Sequence, residues 1–306
     1  MATATPIHRP HRNQRANNKP EMYYSPIALW HLLSLDAPTV AALWTWFIAR
    51  ANHIHLPTSS ILSMAIAVWM LYAADRLMDA RLMDAPNDED LEARHYFHHQ
   101  HRTAFLTGIL FASVALAVLL PRLEAAALHL YLILGGLLAG YFILIHAAQP
   151  AAAVKKTSHR LPKELAVGIF FASAIFIPTV ARRPDLRLPL LPAALLFAAL
   201  CSLNCLFIYA WEHPHSNPSH PPHATTSLAL RHLIFLATCI PIVAIALACL
   251  TKKNLAPLPI PIACALSATL LLLLHHRRRS IAPISLRAAA DLALITPFLL
   301  LPFVHP

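Results

Sequence analysis

The stretch TSSILSMAIAVWMLYAADRLMD, residues 58–79, carries no charge from Thr58 to Ala74 and then ends in Asp75, Arg76 and Asp79. A bilayer core is crossed by about 20 apolar residues in helical conformation, so this segment reads as a membrane span that ends in a polar cap. Eight further stretches read the same way, at 35–52, 103–121, 124–147, 163–181, 188–211, 230–250, 256–274 and 287–304. The first is broken near its start by Asp36 and Pro38, which suggests a short interfacial helix ahead of the span. Trp30 suits that interfacial position, whereas Trp44, Trp46 and Trp69 lie inside spans and are expected to pack within the bundle.

Composition points the same way. Of 306 residues, 58% are apolar and 12% charged, with a mean hydropathy of +0.56, whereas a soluble domain carries about 25% charged residues. Neither a soluble enzyme nor a disordered chain has this balance. The expected fold is all-α: one polytopic membrane domain over residues 26–306, a bundle of about nine transmembrane helices around a central cavity, preceded by a polar, basic tail over 1–25 with no cleavable signal visible. Only five glycines occur, with no G-x-G-x-x-G or Walker motif, and 26 prolines predict many helix ends or kinks. The five cysteines all fall in apolar stretches and read as small buried hydrophobes, not as a disulfide framework.

Charge orients the bundle. Sixteen of the 24 Lys and Arg residues lie in the N-terminal tail and the even-numbered connections, seven in the odd-numbered ones, and Arg76 sits within a helix. The positive-inside rule then predicts an integral, multi-pass protein of bacterial inner-membrane type with a cytoplasmic N-terminus. Polar cytoplasmic loops are expected near 80–102, 148–163, 212–229 and 275–286. The net charge of +10 is thereby topological, and no nucleic-acid partner is implied, because the basic residues are dispersed among short loops.

Asp75 and Asp79 stand four apart and share a helix face with Tyr72. Two readings suit them: ion pairs with Arg76 or Arg81, or a Mg²⁺ site completed by substrate phosphate oxygens. The segment resembles the first aspartate-rich motif, NDxxDxxxD, of the UbiA superfamily of intramembrane prenyltransferases. Asp75 and Asp79 match its last two aspartates and Arg76 an arginine often found between them, while Leu71 and Tyr72 stand where the family has Asn and Asp. Nine spans, a long polar connection after the second, a basic connection before the fifth and a polar end to the sixth also correspond, over most of the chain.

The resemblance implies a Mg²⁺-dependent transfer of a prenyl group from a polyprenyl diphosphate to a lipophilic acceptor, aromatic or quinone-type, within the membrane lipids. Lys155 and Lys156 resemble the family's basic pair and would meet the diphosphate together with Arg76 and Arg94. The second aspartate-rich motif is represented only by Asn204 and Glu212, which with Asp75 and Asp79 make the implied metal ligands. Tyr72, Phe207 and Tyr209 would line a cavity in which aromatic faces stabilise an allylic cation. Alternatives are a class I-type terpene cyclase, a membrane di-iron oxidoreductase built on the HxxHH spacing of His95, His98 and His99, and a non-catalytic isoprenoid-binding protein. Asp291 is expected to pair with Arg287, one turn before it.

Overall fold

The computed structural model describes residues 25–82, 93–147, 162–213, 223–250 and 257–304. Among these the chain is helical throughout, with no strand. Its elements are α1 (Pro26–Leu32), α2 (Asp36–Ala51), α3 (Thr58–Leu82), α4 (Ala93–Gln100), α5 (Arg102–Leu119), α6 (Ala125–Ala147), α7 (Lys163–Arg182), α8 (Arg187–Glu212), α9 (Ala224–Arg231), α10 (Leu233–Leu250), α11 (Pro259–Arg277) and α12 (Pro283–Leu292), the last followed by a 3₁₀ segment, Thr296–Phe303. The nine stretches expected to span all lie largely on helix. Seven described helices are long and apolar enough to cross a membrane, or eight if the bent pair α1 and α2 is one span. The apolar part of α6, Ala125–Tyr141, is shorter than these and is not among them. Large side chains such as Phe111, Leu132 and Leu188 face outward, at 70%, 65% and 80% exposure, a surface suited to lipid.

The core is built around α8, which packs on α7, α10, α11 and α12. Trp44 is fully buried against Phe197, ring centroids 4.3 Å apart, and its indole N–H donates to the Leu294 carbonyl at 2.7 Å. Trp46 is half-buried against the same core. Trp69 packs beside Phe105 and donates to the Leu33 carbonyl at 3.1 Å, and Trp30 donates to Thr39 Oγ1. Pro26, Pro259 and Pro283 start helices, where a missing N–H costs nothing, while Pro178, Pro192 and Pro241 lie inside them. Among the cysteines Cys201 and Cys264 are buried, but Cys249 near the end of α10 is exposed, so the expectation of five buried thiols is corrected.

A short helix ahead of α2 is present as α1, bent 88° from it. Its C-terminus closes as a Schellman turn: Leu35 N–H donates to the Trp30 carbonyl and Ser34 N–H to the His31 carbonyl, with Ser34 in the left-handed region at φ 59°. Glycine is the usual residue there, and serine pays a steric cost that its hydroxyl offsets through Arg76 Nη1 at 2.9 Å and His98 Nε2 at 3.1 Å. Both Ser34→Gly and Ser34→Ala lose those two bonds. The glycine variant is expected to be the more stable by about 1 kcal/mol, because only it relieves the left-handed strain. Denaturation of the two variants side by side in detergent checks the order.

Candidate functional site

Polar side chains from several helices gather at one end of the bundle. This end receives the C-terminal turns of α3, α8 and α11, the N-terminal turns of α7 and α12, and the turn between α1 and α2. Lys163 Nζ lies 3.8 Å from Asp75 Oδ1, Thr226 donates to Glu164 Oε2 at 3.0 Å, and Trp211 donates to His275 Nδ1 at 3.1 Å. Arg182 of α7 instead serves the opposite end, where it donates to the His55 carbonyl and pairs with Glu124 at 3.4 Å.

The centre of this layer is a buried ionic network that local spacing does not reveal. Asp36 is 1% exposed at the first turn of α2, and its carboxylate is surrounded by donors. Oδ1 accepts from the Ala37 N–H at 2.9 Å, and Oδ2 accepts from Arg76 Nη2 at 3.3 Å and meets His31 Nδ1 at 2.5 Å. Arg76 Nη1 donates to the His31 carbonyl at 2.8 Å as well as to Ser34. Asp291 Oδ2 approaches the same nitrogen, 3.9 Å from His31 Nδ1, and Asp291 Oδ1 accepts from Asn204 Nδ2 at 3.0 Å. One network therefore ties α1, α2, α3, α8 and α12 together. A charge held in so apolar an environment persists only if paired and hydrogen-bonded, which is what Asp36 and Arg76 supply for each other.

The residues singled out in the sequence divide among different partners. Asp75 is 39% exposed on its side chain and is paired with Lys163, while Arg76, one residue on, turns into the bundle towards Asp36. Arg76 is therefore engaged with a carboxylate of α2 and not with its sequence neighbours. Glu212 is paired with Arg287, and Asn204 with Asp291, so two polar contacts dock α8 on α12. The expected i,i+4 pair between Arg287 and Asp291 is corrected, because packing on α8 offers each a partner from the facing helix. Tyr72 is half-buried against the core, within electrostatic reach of Asp36, Arg76 and Asp291. Tyr209 stacks on His213 at 4.5 Å, and Phe207 is fully buried against Trp211 and His275. The Asp79 and Arg94 side chains, and Lys155 and Lys156 altogether, lie outside the described residues. Of the HxxHH histidines, His98 is buried, stacked on Phe105 at 4.1 Å and bonded to Ser34.

The group of histidine, cysteine or acidic residues that could hold a metal, among the described residues, is His31, Asp36 and Asp291. Two of these, His31 and Asp36, gave no chemical signal in the sequence beyond an acid interrupting a span. A polar residue retained inside an apolar segment, with a second one far along the chain, was the signal available. Compared with protein-family models, with curated proteins and with solved structures, the chain matches none.

Proposed function

We propose that the chain is a UbiA-like intramembrane prenyltransferase, with nine spans and a cytoplasmic N-terminus, that moves a prenyl group from a polyprenyl diphosphate to an aromatic or quinone-type acceptor. The observation that supports the reading is the gathering of acids and bases from α3, α7, α8 and α12 at one end of an otherwise apolar bundle. A lipid diphosphate needs such a place: cations for its head, a hydrocarbon interior for its tail and shelter from water for an allylic cation.

The Mg²⁺ of this reading was assigned to Asp75, Asp79, Asn204 and Glu212, and the described donors fit it poorly. Asp75 is held by Lys163, Glu212 by Arg287, and Asn204 faces Asp291, so these three do not gather into one donor set. The chain's own residues supply the binding: Lys163 and Arg287 would exchange their carboxylate partners for diphosphate oxygens, joined by Lys155, Lys156 and Arg94 from the adjoining connections. Tyr72 would face the allylic cation.

A second reading, a non-catalytic isoprenoid-binding protein, is favoured by the same ion pairs, since Asp75 and Glu212 are already neutralised. Incubation of the purified chain in detergent with radiolabelled farnesyl or geranylgeranyl diphosphate, Mg²⁺ and a quinone-type acceptor separates the two. Transfer to the acceptor is expected. Hydrocarbon product without an acceptor identifies a cyclase, and binding without turnover identifies a carrier. Lys163→Ala should lower turnover by about 100-fold, the scale of losing one charge-stabilising group. It should leave the fold intact, because a half-exposed ion pair contributes no more than about 1 kcal/mol.

A further inference from the structure

His31, Asp36 and Asp291 come from three separate elements, α1, α2 and α12, and bring three donor atoms within 4.8 Å of one another. These are His31 Nδ1, Asp36 Oδ2 and Asp291 Oδ2, with the imidazole nitrogen 2.5 Å from the first oxygen and 3.9 Å from the second. Each carboxylate is oriented through its other oxygen. The Ala37 N–H holds Asp36 Oδ1, and the Asn204 amide holds Asp291 Oδ1. Such outer contacts are what aim ligating carboxylates in metal sites.

Asn204 supplies the independent observation. It is 6% exposed and its side chain is directed at Asp291, yet its Oδ1 is buried with no hydrogen-bond partner among the described residues. A buried amide oxygen without a donor is costly, and a cation held by the neighbouring carboxylates would satisfy it.

We propose that His31, Asp36 and Asp291 bind one divalent transition metal of the zinc class, with Asn204 Oδ1 as a further oxygen donor. The donor chemistry selects the ion. One imidazole nitrogen with two carboxylates suits Zn²⁺, whereas Mg²⁺ prefers an all-oxygen octahedral shell. Bond lengths of about 2.0 Å put tetrahedral ligand atoms about 3.3 Å apart, so His31 and Asp36 need to separate by less than about 1 Å. The ion takes the place of the proton now shared between them.

Charge also permits it. Two carboxylates and the Arg76 guanidinium leave one net negative charge around a neutral imidazole, which a divalent ion with a hydroxide or phosphate oxygen as a fifth ligand balances. This site is separate from Asp75 and Glu212, and it stands whether or not prenyl transfer is the activity.

The test uses the full chain, purified in detergent, stripped with a chelator, then dialysed against Zn²⁺ and analysed for metal. About one Zn²⁺ per chain at micromolar free concentration is expected beyond the ions held by exposed loop histidines, and millimolar Mg²⁺ should not displace it. Asp291→Asn and His31→Ala should each weaken this binding by at least about 10-fold, while His99→Ala with His101→Ala, both exposed at the junction of α4 and α5, leaves it unchanged. Substitution by Co²⁺ should give a visible absorption band that is lost in Asp291→Asn, the variant closest in shape should His31→Ala fail to fold. Stoichiometry and Co²⁺ spectrum identical in wild type and Asp291→Asn would overturn the proposal, as would no uptake of either metal below 1 mM, on the order expected for adventitious sites.

Discussion

Replacing Arg76 by alanine is expected to destabilise the folded chain by about 3–5 kcal/mol, the largest loss foreseen for any single side chain here. The guanidinium is 7% exposed and serves three acceptors, Asp36 Oδ2, the His31 carbonyl and Ser34 Oγ. Removing it leaves a carboxylate at 1% exposure without its compensating cation and frees the turn that fixes α1 against α2. Truncation is damaging because of what stays behind, and this distinguishes it from removal of the whole pair. The double variant Arg76→Met with Asp36→Asn keeps volume while discarding both charges, so it should recover at least half of the loss. Denaturant titration followed by far-ultraviolet circular dichroism in a mild detergent measures both. If Arg76→Ala shifts stability by less than 1 kcal/mol, roughly the scale of a solvent-exposed pair, the network is not the clamp described above.

The same network explains how much of the molecule was legible from its sequence. Spans are legible because each is a local run of apolar residues, and α1 was foreshadowed by Asp36 and Pro38. The even-numbered polar connections are assigned to one face by counting charges, and many of their residues lie outside the described ones. Side-chain pairing was not legible in the same way. Arg76 was read beside Asp75 and Asp79, but its partner is 40 residues earlier. Asn204 and Asp291 are 87 apart, and Glu212 and Arg287 75 apart.

Helical spacing identifies which residues share a face but not which helix that face meets. Thus Arg287 and Asp291 satisfied an i,i+4 rule and still found their partners on α8. His31 stood one turn ahead of an apolar stretch with nothing nearby to mark it, and only the 88° bend after α1 carries it to Asp36.

A second large effect is expected at a residue without a side chain. α7 and α8 form the most extensive helix pair in the bundle, and Gly168 lies where they approach most closely. A Cβ built there would stand 2.1 Å from Ser202 Oγ, 2.5 Å from the Ala198 carbonyl oxygen and 3.0 Å from Ser202 N. Ser202 can rotate its hydroxyl away, but the other two atoms are backbone, so the helices themselves have to part.

Gly168→Ala should therefore cost about 1–3 kcal/mol despite alanine's better helix propensity, and Gly168→Leu more. Gly108 offers the contrast: a Cβ there meets only the Trp69 ring edge at 2.8 Å, the far end of a side chain that can swing, so Gly108→Ala should be milder. The double variant Gly168→Ala with Ser202→Ala separates the two contributions at Gly168. It relieves the hydroxyl clash and leaves the Ala198 carbonyl in place, so rescue should be partial. Full rescue would mean that the serine side chain alone sets the spacing of α7 and α8. No rescue would assign the whole cost to backbone contact between the helices, the limit in which only glycine fits.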